Sequence, residues 1–257
     1  MAGTFTTGKS IDTMKIQVFS TYDDLSLKAA EDLTQFLALT EKPLLCVASG
    51  DSPSGLYKKL AEKVKNNETD ISNWHFVGLD EWMGMNGEDA GSCRFHLNKQ
   101  VFDVLQIEEQ RISFFDGRTS NPGEECRRVD NFIQQQGGID VAVLGLGMNG
   151  HVGMNEPGTL PVLRSHLADI APQTQQIGQK YFTDAKILSQ GLTLGIQTLK
   201  EAKHIMLIVN GAHKASIVEK VLEEKISDEI PATLLRNHPG LTIYLDKSAA
   251  QFIISYE

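Results

Sequence analysis

Cysteine is scarce in this 257-residue chain, with Cys46, Cys93 and Cys126 its only three. An odd number without C-x-x-C spacing argues against a disulfide frame and against a zinc site. A reducing cytoplasm is the expected home. Long apolar runs are also missing, none approaching the roughly 18 residues that a membrane span needs. The opening MAGTFTTGKSIDT is polar and lacks the apolar centre of a signal peptide. We expect residues 1–13 to be a tail and 14–257 a single domain, since no linker, repeat or low-complexity tract divides the chain. Positive charge is in deficit, giving a net charge of −9. Nucleic acid or an anionic membrane would require a concentrated basic face, so neither is an expected partner. A small anion remains admissible, because a few cations and backbone amides can hold one phosphate.

What the chain does have is alternation. Apolar runs at Lys15–Phe19, Leu44–Ala48, His75–Leu79, Ile112–Phe115, Asp140–Leu144, Ile205–Val209 and Leu241–Leu245 read as strands, with another at Gln251–Ser255. Between them, Asp24–Leu37, Ser54–Val64, Ser92–Leu105, Gly123–Gln135 and Lys214–Leu222 carry apolar residues at helical spacing. The pattern predicts a single-domain, Rossmann-like α/β fold, its mostly parallel sheet covered by helices on both faces. Such sheets bind ligands at the carboxyl ends of their strands. Four of those ends are rich in chemistry: Ser49–Ser54, Asp80–Glu81, Gly145–Glu156 and Asn210–Lys214.

The third, GLGMNGHVGMNEPGT from Gly145 to Thr159, begins as G-x-G-x-x-G after a strand. A dinucleotide site would need a helix immediately afterwards. His151-Val152-Gly153-Met154-Asn155-Glu156-Pro157-Gly158 is a poor helix, and Asp169 lacks the βαβ context of a ribose-binding acid. The other reading is a catalytic loop in which His151 moves a proton and Asn149 or Glu156 fixes its tautomer. Spacing alone leaves that reading level with a glycine turn carrying a solvated histidine. In SGDSPSG, Ser49 to Gly55, hydroxyls and exposed amides at a helix start could hold an anion. On the residues alone a Ser/Asp-capped helix is the simpler account. Asp80 and Glu81 point oppositely if they lie on a strand, so one of the two should face the site.

Four ordered motifs change this balance. VASGDSPSGLY (47–57), FVGLDEWMGM (76–85) with GSCRFHL (91–97), the Gly145–Glu156 loop, and LTLGIQTLKEAKHIMLIVNGAHKA (192–215) together resemble the glucosamine-6-phosphate deaminase/isomerase family over almost the whole chain. LDEW, Asn149 and the Gln173–Gln176 run look most like its galactosamine-6-phosphate branch. The resemblance implies an isomerising deaminase of a hexosamine 6-phosphate, leaning to galactosamine 6-phosphate and tagatose 6-phosphate, with no cofactor and no metal. It casts Asp80 as the base at C2 and His151 as the ring-opening group. Glu156 and Asn149 orient the imidazole, and Asn149 stands where some relatives have Asp. Ser49, Gly50, Ser52, Lys214 and Lys180 are assigned the phosphate, with Lys180 where arginine is common. Asp51 fits beside a phosphate only if its side chain caps the helix and turns away. Glucosamine-6-phosphate deaminase, 6-phosphogluconolactonase and a non-catalytic sugar-phosphate sensor are the alternatives. Homo-oligomerisation is left open. One arginine, Arg164, follows the loop where a cluster of cations would suit an effector, so no activation by an amino sugar is expected.

Overall fold

The computed structural model describes residues 14–253, so the expected tail at 1–13 lies outside the described residues. Strand β1 (Lys15–Phe19) leads into α1 (Tyr22–Leu37), β2 (Leu44–Val47) into α2 (Asp51–Lys65), and β3 (His75–Gly78) follows. The short β4 (Asp80–Trp82), α3 (Cys93–Leu97) and β5 (Ile112–Ser113) come next, then α4 (Pro122–Gln135) and β6 (Val141–Gly145). The second half holds β7 (His166–Asp169), α5 (Pro172–Gly178), β8 (Gln190–Thr193), α6 (Ile196–Lys200), β9 (His204–Val209), α7 (Ala215–Glu223) and β10 (Leu241–Asp246). Seven of these strands form one sheet in the order β1-β10-β9-β6-β2-β3-β5, and every pairing in it is parallel.

The helices start where local chemistry directs. Thr21 caps α1 by accepting the Asp24 amide, and Asp23 and Asp24 sit favourably at the positive helix end. Asn121 caps α4 in the same way, with Pro122 in the first turn. Strand residues alternate between two buried faces. Leu44, Cys46, Ala142 and Leu144 enter one core with Val129 of α4 and Val218 of α7. Leu45, Val47, Val141 and Val143 enter the other with Leu33 of α1 and Leu56 of α2. Burial on both faces is why these strands read as continuous apolar runs. No helix among the described residues is long and apolar enough to cross a membrane.

Three features differ from the expected pattern. A second, antiparallel sheet has the order β4-β8-β7. Its strands are three or four residues long, and sequences such as HLAD and QGLT carry no strand periodicity. Asp80 therefore opens a strand of this sheet instead of ending β3. The expected helix Ser92–Leu105 is α3 followed by one π-helical turn, Asn98–Phe102. Apolar spacing does not separate the two winds, which differ by one residue per hydrogen bond. Residues 251–253 form a turn and not the start of a strand. The Asp246 carboxylate accepts the amides of Gly211 and Ala249, which turns the chain away from the sheet at the end of β10.

The topology also locates the crevice. From β2 the chain proceeds to β3 and β5 on one side, then returns through β6 to β9 and β10 on the other. Strand order thus reverses between β2 and β6, and ligands of open α/β sheets bind at such a point.

Candidate active site

A cleft of about 620 Å³ opens at this reversal. Its walls include Ser49, Gly50 and Ser52 after β2, Asp80 after β3, His151 after β6, and Lys214 after β9, with Lys180 from the segment following α5. The carboxylate and the imidazole share one cavity with the serine–glycine turn. Asn149 and Glu156 stand behind the imidazole.

The turn after β2 is built to leave amides free. Gly50 has φ of 111°, a left-handed conformation suited to glycine, and no side chain caps α2. Asp51 does not cap the helix; its exposed carboxylate pairs with Lys180 at 2.7 Å at the edge of the cleft. The Tyr22 hydroxyl braces the turn, accepting the Gly55 amide at 2.8 Å and reaching the Asp51 and Ser52 carbonyls. A Cβ on Gly55 would lie 2.2 Å from Ser26 Oγ, so glycine permits that approach. Ser52 Oγ donates to Asn210 Oδ1 at 2.9 Å, joining the ends of β2 and β9. Positive helix ends with unclaimed amides bind anions.

Asp80 and Glu81 diverge as strand geometry requires. Asp80 lines the cleft while Glu81 faces inward, accepting the amides of Trp82, Cys93 and Arg94 at 2.8–2.9 Å and so fixing the start of α3. Burial pushes the Asp80 carboxyl up to about 6, against the Cys93 thiol and the His151 charge, which pull it down. Burial likewise raises Glu81 to about 7, offset by its three amides. A carboxylate held near neutrality can accept a proton from carbon and return it.

The imidazole sits in a glycine-cut seat. A Cβ on Gly147 would fall 2.2–2.4 Å from three atoms of the His151 ring. Asn149 Oδ1 lies 2.7 Å from His151 Nδ1, and Asn149 Nδ2 donates to Glu156 Oε2 at 2.6 Å. This chain places the proton on Nδ1 and leaves the Nε2 lone pair for the cleft. Glu156 is 3.6 Å from Nδ1, near enough to balance an imidazolium through and around the amide. Burial raises its pKa, but contact with His151, Thr174 and Asn149 outweighs burial and holds it low. Two buried carboxyls near one cleft are thus driven apart in pKa, Asp80 upward by burial and Glu156 downward by its neighbours.

The two lysines differ. Lys214 is part-buried and donates to the Leu146 carbonyl; burial, reinforced by Lys180, lowers its pKa to about 8. Lys180 is half exposed and engaged with Asp51; burial lowers its pKa, but Asp51 and Tyr181 together outweigh burial and raise it. Among the described residues no group of three or more His, Cys, Asp or Glu is placed to hold a metal ion. After Gly150 the chain makes turns, and the next helix in sequence is α5 at Pro172, so no helix follows the glycine loop directly as a dinucleotide site requires.

Several wall residues were not singled out in the sequence: Cys93, His96, Thr174, Tyr181 and Asn210. Asn210 had a signal in its Asn-Gly turn. Thr174 lay inside a glutamine-rich run and had none.

The family model for glucosamine-6-phosphate isomerases and 6-phosphogluconolactonase matches residues 20–244. A glucosamine-6-phosphate deaminase of Shouchella clausii (strain KSM-K16) is 35% identical over 238 residues, spanning 92% of this chain and 96% of the relative. One from Clostridium acetobutylicum is 34% identical over 241 residues, spanning 93% and 100%. Among solved structures, a monomeric glucosamine-6-phosphate deaminase described as a missing link of the NagB superfamily superposes with a TM-score of 0.89 at 33% identity, covering 93% of this chain and 99% of that one. The 6-phosphogluconolactonase of Trypanosoma brucei shares the fold at a TM-score of 0.73 and 20% identity, over 93% and 98%. Matched from residue 20, just ahead of α1, to residue 244 within β10 by a single family model, the chain belongs to the glucosamine-6-phosphate isomerase/6-phosphogluconolactonase family.

Proposed function

We propose that this protein is an isomerising deaminase of a 2-amino-2-deoxyhexose 6-phosphate, converting glucosamine 6-phosphate to fructose 6-phosphate and ammonia. The observation that carries this is the placing of Asp80 and His151 in one cleft with an uncapped helix start. The phosphate sits on the amides and hydroxyls of Ser49, Gly50 and Ser52, with Lys214 as its principal cation. Binding energy at that remote end positions C1 and C2. His151 Nε2 takes the proton of the C1 hydroxyl and delivers one to the ring oxygen, and the ring opens to an aldehyde. Asp80 removes the C2 proton as the aldehyde oxygen gains one released from the substrate ammonium, giving an enolamine, and Asp80 then protonates C1. C1 is reduced as C2 is oxidised, so no external electron acceptor enters. Water adds to the resulting ketimine carbon, the C2–N bond breaks, and ammonia leaves from the ketose.

The sequence leaned to the galacto epimer through LDEW, Asn149 and Gln173–Gln176. The gluco epimer has the better support, because relatives at 34–35% identity over most of the chain bear that name. Asn149 moreover spends both ends of its amide on His151 and Glu156, away from any sugar hydroxyl. A lactonase would activate water and has no C2 proton to remove, which leaves a buried, proton-accepting Asp80 without a task. Ammonia release should be followed with both epimers, beside hydrolysis of 6-phosphogluconolactone. Lactone hydrolysis without ammonia from either amino sugar would refute the proposal.

A further inference from the structure

The segment that follows α5 reaches the turn at the start of α2. Its Tyr181 lines the cleft, and the phenol oxygen stands 3.5 Å from the point that a Cβ on Gly50 would occupy. That glycine belongs to the turn whose helix has no side-chain cap. Two neighbours fix the phenol ring. His96 meets it edge-to-face with centroids 5.0 Å apart, and the Lys180 ammonium lies 4.8 Å from its centre. Gly91 permits the close approach of this segment, since a Cβ there would lie 2.6 Å from the Tyr181 carbonyl oxygen. Packing thus holds the hydroxyl beside the serine–glycine turn.

We propose that the Tyr181 hydroxyl donates directly to the phosphate of the bound sugar, completing the seat formed by Ser49, Gly50 and Ser52. This deepens the function proposed above and rests on its placing of the phosphate. The phenol oxygen pairs with the Lys180 ammonium, which can only donate, so the hydroxyl's own proton stays uncommitted. Asp51, a carboxylate that could compete for that proton, is engaged by Lys180 at 2.7 Å. Nor is the oxygen shut off from solvent, as the neighbouring His96 Nε2 is. Burial, with Asp51 close by, raises the Tyr181 pKa, so the group stays a neutral donor while the phosphate carries the charge. A hydrogen bond to an ionised acceptor is shorter and stronger than one between neutral groups. A donor already fixed by packing also loses little freedom when the ligand arrives.

The test is Tyr181→Phe, which keeps the ring between His96 and Lys180 and removes only the oxygen. KM for glucosamine 6-phosphate should rise about tenfold, the lower end for a hydrogen bond to a charged group. The loss should fall on KM and not on kcat, because C1 and C2 lie at the other end of the cleft. The Kd of fructose 6-phosphate, measured by calorimetry, should rise by the same factor, and the ³¹P resonance of the bound ligand should move. A resonance that stays put, or a Kd that changes less than threefold or falls, overturns the proposal. The hydroxyl would then be idle or in the way of the phosphate. A fall in kcat as large as the rise in KM overturns it too, and would make Tyr181 a brace for α5. Should Tyr181→Phe fail to fold, Tyr181→Leu takes its place. Fructose 6-phosphate bound without ammonia release from glucosamine 6-phosphate would sink the deaminase reading and leave the Kd ratio to decide on Tyr181. No binding of fructose 6-phosphate or inorganic phosphate to the wild type would bring both down.

Discussion

The two ends of the cleft are made differently. Around Asp80 and His151 the carboxylates of Asp80 and Glu156 are buried, the imidazole is held by Asn149, and Gly147 leaves the room that its ring occupies. At the proposed phosphate end the turn is open, its helix is uncapped, and Lys180, one of the two nearby cations, is drawn off into an exposed pair with Asp51. Chemistry on carbon needs fixed geometry and shifted pKa values, both of which require exclusion of water. Binding a dianion needs only charge and free amides, which tolerate water and movement. The molecule therefore keeps its costly features at one end.

The largest effect expected is at that end. Asp80→Asn removes the base, and kcat should fall by roughly 10²–10⁴. The same change should stabilise the fold. Burial raises the Asp80 pKa from 3.8 to about 6, so ionising it in place costs roughly 3 kcal/mol. A group raised in this way gives its full stability below the unfolded value and loses it as pH rises through the folded one. Asparagine does not titrate, so the variant's advantage should open between pH 4 and 6 and persist above. Thermal unfolding across that range, beside kinetics, checks both halves; a less stable, inactive variant would mean the residue serves packing.

Gly147→Ala attacks geometry without touching a reacting group. The new methyl would stand 2.2–2.4 Å from the His151 ring, which must leave its seat and its bond to Asn149. Displacement of about 1 Å costs roughly 10² in rate, so kcat/KM should fall by that order while substrate binding changes little. Unaltered kcat would show that the imidazole is not needed where it stands.

How much of this contrast was visible in the sequence follows from length and range. The seven parallel strands were legible because burial on both faces makes apolar runs, as in Leu44–Val47. The second sheet was not, since β4 pairs with β8 across more than a hundred residues and the strands are too short to show a period. Gly50, Ser52, Asp80 and His151 could be named because they sit at strand ends within motifs. Which way Asp51 turned could not, because its partner Lys180 is distant in sequence and the pair forms only once α5 has folded over the turn.

At the binding end, Lys214→Ala should raise KM by roughly 10–100-fold, the loss expected for a part-buried hydrogen bond to a charged group. The pH profile sharpens the point. kcat/KM requires Asp80 ionised, so it should fall below about 6, and Lys214 charged, so it should fall above about 8. Lys214→Ala should remove the upper limb and leave the lower one. An upper limb that survives the substitution would assign it elsewhere.

The smallest effects belong to the exposed pair, and their signs are opposed. An ion pair in water is worth about 0–1 kcal/mol, so neither Lys180→Ala nor Asp51→Asn should move KM more than about fivefold. Lys180→Ala strips a cation from the phosphate end and leaves Asp51 bare beside an incoming dianion, so KM should rise. Asp51→Asn frees Lys180 and removes the like charge, so KM should fall. Both changes should shrink as salt is raised from 0.05 to about 0.5 M, where the screening length falls to about 4 Å. If the two variants instead shifted KM in the same direction, the pair would be acting as a unit that positions the 172–182 segment. The contrast between a rigid and an adaptable end would then fail at its adaptable side.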